Sequence, residues 1–213
     1  MIPAPFQSAP AAAEAVFGAT LPQAIRYAEL LAGAGVERGL IGPREVDRLW
    51  DRHLLNCAVL VPLLPASGIV LDLGSGAGLP GIVVALLRPD LPVILVDATR
   101  RRIEFLDEVI AELGLERVQT RWCRAEELNG QLHVETVVAR AVAPLDKLIP
   151  WAVPLLTRTG QLLALKGERA EQELKDAKPL LGRLSLTGEL VAIGDGVLAE
   201  PTMVVRIRRK AVK

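Results

Sequence analysis

The chain predicts an α/β fold: a mostly parallel sheet with helices on both faces, closed by a C-terminal antiparallel hairpin and preceded by a helical extension. Three observations predict it. From Gly68 onward, short apolar runs of strand length alternate with helical patterns, as in a parallel sheet covered on both sides. The run Val70-Leu71-Asp72-Leu73 passes directly into Gly74-Ser75-Gly76-Ala77-Gly78-Leu79-Pro80-Gly81. Such a junction brings a nucleotide-like ligand against bare backbone. The last two strand-like segments are joined by a short connection through Gly194-Asp195-Gly196, which pairs them antiparallel.

The elements follow in order. Residues 1–20 are rich in Ala and Pro and read as a loose arm or short helix. Leu21–Ala34 reads as a helix stopped at Gly33-Ala34-Gly35. A second helix starts near Pro43, because proline suits the first helical turn. On it Val46, Leu49, Trp50, His53, Leu54 and Cys57 share an apolar face, and Arg44, Arg48 and Arg52 form a basic stripe. Strands are expected at Ile69–Leu73, Val93–Asp97, Val118–Trp122, Thr136–Arg140, Gln161–Leu165, Leu184–Ile193 and Thr202–Arg208. Helices are expected at Gly81–Arg88, Arg100–Leu113, Ala125–Leu128, Leu145–Leu156 and Arg169–Ala177. The division is 1–66 as an N-terminal helical extension and 67–213 as the ligand-binding domain.

Composition narrows the class. Apolar residues make up 51% of 213, enough for a substantial core, and 25 basic residues balance 25 acidic ones. Bulk charge therefore does not announce a nucleic-acid binder, and any basic surface is local. Cys57 and Cys123 stand far apart, which argues against a disulfide framework or a zinc site and fits a reducing cytoplasm. No metal is expected. The first basic residue is Arg26, so a signal-peptide n-region is missing, and the apolar run Cys57–Pro65 is too short to span a bilayer. We expect a soluble cytoplasmic monomer.

Gly76-Ala77-Gly78-Leu79-Pro80-Gly81 satisfies GxGxxG, a weak signal alone because dinucleotide-binding folds share it. Context strengthens it: a strand precedes, a helix follows, and Asp97 ends the next strand where an acid can bind ribose hydroxyls. Three features favour S-adenosyl-L-methionine over a dinucleotide. Asp72 stands just before the glycines, where a carboxylate suits a cationic amino group and repels a pyrophosphate. The extra C-terminal hairpin resembles the seven-stranded sheet of class I (Rossmann-like) methyltransferases. Ala125-Glu126 follows the third strand, where that class contacts adenine.

With these motifs the chain resembles the bacterial RsmG (GidB) family, which methylates N7 of a guanine in 16S ribosomal RNA. The residues carrying the resemblance are Leu49-Trp50-Asp51-Arg52-His53, the loop Leu71–Gly81, Pro89, Asp97, Arg100-Arg101-Arg102 opening into Phe105-Leu106, Ala125-Glu126-Glu127, Ala139-Arg140-Ala141 and Ala164-Leu165-Lys166-Gly167. It runs from about residue 20 to the C-terminus. The family often has an aspartate and a serine after the Arg-His pair, where this chain has Leu55, Asn56 and Cys57. Its second strand usually ends Asp-Ser, here Asp97-Ala98. The resemblance implies cofactor contacts at Gly74, Leu79, Asp97, Ala125, Glu126 and Arg140. The residues themselves add Asp72, Gly76 and Gly78. The implied partner is 16S ribosomal RNA or a small-subunit particle, and losing the modification would alter the response to streptomycin.

Guanine N7 has an exposed lone pair and loses no proton on methylation. Holding nucleophile and methyl in line can suffice, without a general base. The chain lacks the Asn/Asp-Pro-Pro-Tyr of exocyclic-amine chemistry and the Pro-Cys of cytosine C5 chemistry. Positioning roles fall to Arg140 and Lys166, at the carboxyl ends of the fourth and fifth strands, and to His53. Each has a plainer reading: a strand-end salt bridge, a solvated lysine, a packed histidine. The arginine stripe, Arg100-Arg101-Arg102 and the tail Arg206, Arg208, Arg209, Lys210 and Lys213 are candidates for phosphate contact or ordinary solvated charge. Trp50 and Trp122 read as core rather than as base-stacking platforms. Two rival functions stay open at this stage: a methyltransferase of the same fold acting on a small molecule or protein, and an NAD(P)-binding oxidoreductase or sensor.

Overall fold

A computed structural model describes residues 8–210. Lys213 of the basic tail and the first seven residues of the Ala/Pro-rich arm lie outside the described residues. The described part of the arm holds helix α1 (Ala11–Phe17), ended by Gly18 at φ +47°. Helix α2 (Leu21–Leu30) follows after one tight turn and buries Ala24, Tyr27 and Ala28, the one-face spacing of an amphipathic helix.

The helix expected from Pro43 is not one regular α-helix. It runs as a 3-10 segment Pro43–Arg48, a wide π-helical segment Leu49–Leu55 and a last α-helical turn, α3 (Asn56–Ala58). The apolar face survives this change of winding: Leu49, Trp50, His53, Leu54, Leu55 and Cys57 are buried, while Arg44, Arg48 and Arg52 are exposed.

The strands are β1 (Val70–Leu73), β2 (Val93–Asp97), β3 (Val118–Trp122), β4 (Val134–Arg140), β5 (Leu156–Lys166), β6 (Leu186–Ile193) and β7 (Thr202–Arg209). They form one seven-stranded sheet in the order β3-β2-β1-β4-β5-β7-β6. The first five are mutually parallel, and β7 pairs antiparallel with both β5 and β6. The hairpin expected from the sequence is therefore present, with its second strand inserted beside β5.

The helices are α4 (Gly81–Leu87), α5 (Arg100–Leu113), α6 (Leu145–Ala152) and α7 (Ala170–Arg183). Successive strand residues point to opposite faces, so the core has two halves. Val70, Val93, Leu95 and Leu163 pack under α1, α2, α4 and α5; Leu71, Ile94, Val96 and Leu162 pack under α6 and α7. Two boundaries differ from expectation by several residues, and one residue changes its place. Helix α6 gives way to a tight turn and then to β5, which begins at Leu156 rather than Gln161. Helix α7 continues through Pro179 to Arg183 instead of stopping at Ala177. Trp122 is not core: 59% of it is exposed, because β3 is the edge strand.

Candidate active site

The chain order reverses between β1 and β4, and ligands of open α/β sheets bind in the crevice at that point, beyond the carboxyl strand ends. Here that crevice holds two solvent-open cavities. The smaller, about 170 Å³, is lined by Gly74, Asp97, Ala98, Ala125, Glu126 and Trp151 among others. The larger, about 1030 Å³, is lined by Glu45, Arg52, His53, Arg140, Lys166 and Glu173 among others. Val142 lines both. It follows β4 and packs so close to Gly74 that a Cβ there would lie 2.9 Å from a Val142 methyl.

The glycine loop is held from inside and outside. Gly74, Gly76 and Gly78 all have positive φ, at 71°, 59° and 98°, a region only glycine enters without penalty. Asp72 lies behind the loop and is fully buried; its Oδ2 accepts from the Gly81 amide at 2.9 Å, at the start of α4, and its Oδ1 has no partner. Burial pushes its carboxyl up to about 7. Asp97 accepts from the Gly76 amide at 3.0 Å and the Thr99 amide at 2.8 Å, and pairs with Arg102 at 3.1 Å. The end of β2 thus fastens the loop. From the other side Tyr27, fully buried on α2, donates its hydroxyl to the Ala77 carbonyl at 2.8 Å.

Of the residues expected to contact the cofactor, Gly74, Asp97, Ala125 and Glu126 meet in one cavity. Asp72, Gly76, Gly78 and Leu79 do not line it. Leu79, expected as an apolar lip, is buried in the core against the helices, because its loop turns inward to start α4. Arg140 lines the larger cavity instead of the smaller one.

In the larger cavity Arg140, ending β4, donates from Nη2 to His53 Nδ1 at 2.8 Å and from Nη1 to the Arg52 carbonyl at 3.2 Å. A guanidinium only donates, so Nδ1 accepts and the imidazole proton sits on Nε2. That nitrogen then donates to Glu45 Oε2 at 2.9 Å. Burial, and next the Arg140 charge, hold His53 below its ordinary pKa of 6.5; Glu45 opposes them. The hydrogen bond to His53 holds Glu45 below the usual carboxylate range.

Ala141, next after Arg140, has φ +55°, a left-handed conformation costly for a non-glycine residue. It turns the chain sharply off the strand end. The following loop is tied by Lys166, which donates to the Ala143 carbonyl and to Glu173, both at 2.7 Å. Its side chain is 9% exposed, so the solvated-lysine reading does not hold. Glu173 also accepts from the Leu145 amide at 3.2 Å, joining α7 to the start of α6.

Tyr27, Glu45, Val142 and Glu173 were not singled out from the sequence. Tyr27 left a trace, as the sole tyrosine on an apolar helix face, where a buried hydroxyl needs a partner. The other three had none.

The arrangement coincides with a family match. The model of the family described as rRNA small subunit methyltransferase G matches residues 20–189. The chain is 55% identical over 197 residues to the ribosomal RNA small subunit methyltransferase G of Thermobifida fusca, covering 92% of this chain and 83% of that one. It is 53% identical over 200 residues to the protein of the same name from Streptomyces coelicolor, covering 93% and 84%. This chain belongs to the rRNA small subunit methyltransferase G family. Solved structures agree on the fold. The ribosomal protein L11 methylase of Lactobacillus delbrueckii subsp. bulgaricus matches with TM-score 0.57 at 18% identity, over 74% of this chain and 77% of that one. A precorrin-6y C5,15-methyltransferase from Geobacter metallireducens matches with TM-score 0.55 at 14% identity, over 81% and 91%. In this member of the methyltransferase G family, the class I sheet thus carries a split crevice at the expected edge.

Proposed function

We propose that the protein transfers a methyl group from S-adenosyl-L-methionine to N7 of a guanine in 16S ribosomal RNA, the target lying in the decoding-region loop. The observation that carries this reading is the family match, joined to paired cavities that meet at Val142. One would take the methyl donor and the other the acceptor base.

The residues of the smaller cavity fit the cofactor. Asp72 does not line that cavity; from behind it holds the Gly81 amide and so sets the glycine loop that would carry the methionine part. Gly74, Ala125 and Glu126 would hold the adenosine side, and Asp97 the ribose. When bound, the cofactor supplies an electrophilic sulfonium methyl. Guanine N7 attacks with its own lone pair, so the chain has to orient the base and exclude misaligned approaches. Arg140 would do this from the acceptor cavity, aimed by His53. An arginine on N7 itself would block the reacting atom, so we assign Arg140 to O6 or to phosphate. Lys166 would shape the loop wall. Residues 1–66 read as a helical extension of the methyltransferase domain 67–213. We further propose that the protein works as a cytoplasmic monomer without a metal, on naked 16S RNA or a small-subunit particle. None of its described helices is long and apolar enough to cross a membrane.

Mapping methylated nucleosides in 16S RNA from cells with and without this protein tests the reading. We expect one N7-methylguanosine to disappear and the streptomycin response to change. An unchanged map, or purified protein that does not bind S-adenosyl-L-methionine by calorimetry, would overturn it.

A further inference from the structure

Trp122 ends β3 at the carboxyl edge of the sheet with 59% of its surface in solvent. The other two tryptophans are covered, Trp50 buried and Trp151 half-buried. Leaving an indole in water forgoes a large apolar burial, so an exposed one raises the question of what it meets. This ring is held in place. Its Nε1 donates to the Ala98 carbonyl at 3.1 Å, and the Arg100 guanidinium carbon sits 5.5 Å from the ring centroid, within cation–π range. Arg100 is steadied in turn by Glu104 at 2.9 Å.

The surroundings are basic. Arg101, Arg121 and Arg124 are exposed beside this pair in the chain. The first turn of α5 carries three arginines and no acid, against the preference of a helix N-terminus for negative charge. Of the three, Arg102 is paired with Asp97. Of the acids nearby, Glu104 is taken by Arg100, Asp107 accepts from Thr120 at 2.7 Å, Glu127 accepts from the Arg124 amide at 2.7 Å, and Glu126 lines the smaller cavity.

We infer that Trp122 and Arg100 form a stacking platform for an unpaired base of the RNA substrate, outside the cofactor cavity. The inference rests on the proposed RNA substrate. Proteins that hold single-stranded RNA stack its bases on aromatic rings and guanidinium planes and track its phosphates with basic side chains. A fixed indole flanked by arginines offers both. Trp122 does not line either cavity. β3 stands three strands from β4, about 14 Å at ordinary strand spacing. The platform therefore holds a neighbour of the reacting guanine and not that base itself. Ala98, to which the indole is tethered, lines the smaller cavity, so the RNA would cross the mouth of the cofactor site.

The test compares wild type with Trp122→Ala, Trp122→Phe and Arg100→Ala. It measures binding of a labelled 16S RNA transcript, methyl transfer to that transcript, and S-adenosylhomocysteine binding by calorimetry. We expect Trp122→Ala to weaken transcript binding about tenfold, Trp122→Phe to restore most of it, and Arg100→Ala to weaken it less. S-adenosylhomocysteine affinity stays at the wild-type value in all three. Unchanged transcript affinity in Trp122→Ala, with wild type still methylating the RNA, overturns the platform and leaves the proposed function standing. Lost S-adenosylhomocysteine affinity also overturns it and assigns the indole to the adenosine site. Wild type that neither binds nor methylates the transcript or small subunits overturns both.

Discussion

Arg140 and His53, 87 positions apart, share one hydrogen bond of 2.8 Å in which the guanidinium donates and the imidazole accepts. This direction of donation is possible only while His53 is neutral with its proton on Nε2. Glu45 accepts that proton at 2.9 Å and so fixes the tautomer.

The relay predicts an acid limb in methyl transfer. Protonated His53 carries a hydrogen on Nδ1 and cannot accept from Arg140, so activity falls as pH drops through a pKa below 6.5. Glu45 favours the imidazolium, so Glu45→Gln, which still accepts from Nε2, moves this limb to lower pH. Glu45→Ala loses the tautomer lock and lowers kcat across the range. A pH–rate profile identical in all three proteins would assign the chain of bonds to packing alone. The stability linkage has the same sign. Unfolded His53 binds a proton near 6.5 and folded His53 only lower, so folding stability is lost as pH falls through that window.

Arg140→Ala is expected to lower kcat/KM for RNA about 100-fold through misplacement of the base. S-adenosylhomocysteine affinity should stay near wild type, since Arg140 lines the acceptor cavity only. Calorimetry beside steady-state kinetics separates the two. Loss of cofactor binding would move Arg140 to the donor side, as the family resemblance implied.

Asp72 should make stability depend on pH in the opposite sense from a paired carboxylate. Its folded pKa is raised from 3.8 to about 7. The stability it favours is therefore fully present below 3.8 and lost as pH rises through about 7. The loss is on the order of a few kcal/mol, and Asp72→Asn should flatten the unfolding curves across that range. Unfolding curves with the same pH slope in wild type and Asp72→Asn would contradict this.

Tyr27→Phe removes the hydroxyl that meets the Ala77 carbonyl and leaves that acceptor without its donor. The expected cost is about 1–3 kcal/mol in unfolding free energy, with several-fold weaker S-adenosylhomocysteine binding as the loop loosens. Denaturant titration and calorimetry check both; loss of stability without loss of affinity would make the contact purely structural.

Much of the fold was legible because period and punctuation agree. The central strands β1 and β2 are apolar runs closed by a turn signal, as at Val93–Asp97. The errors have physical sources. The helix expected to end at Ala177 runs on through Pro179, because Leu181 still packs into the core. Trp122 reads as core by residue type, but its exposure is set by the edge position of β3, which no local pattern encodes. Of the proposed donor side, Gly74 and Asp97 were readable because strand, glycines and acid lie within one stretch, Asp72 to Asp97. The acceptor side was readable only in pieces. Glu45, His53, Arg140 and Lys166 come together through long-range packing, and nothing in their spacing announces the partners Glu45 and Glu173.

Val142 has a kinetic consequence. It is the one residue common to the linings of these two cavities, both of which are open to solvent. A donor and an acceptor placed there would meet across one valine, with the rest of each held by its own set of residues. Neither would have to wait for the other to leave. Initial-rate patterns should therefore be those of random-order addition and release, and a bulkier side chain at position 142 should slow exchange in both cavities at once.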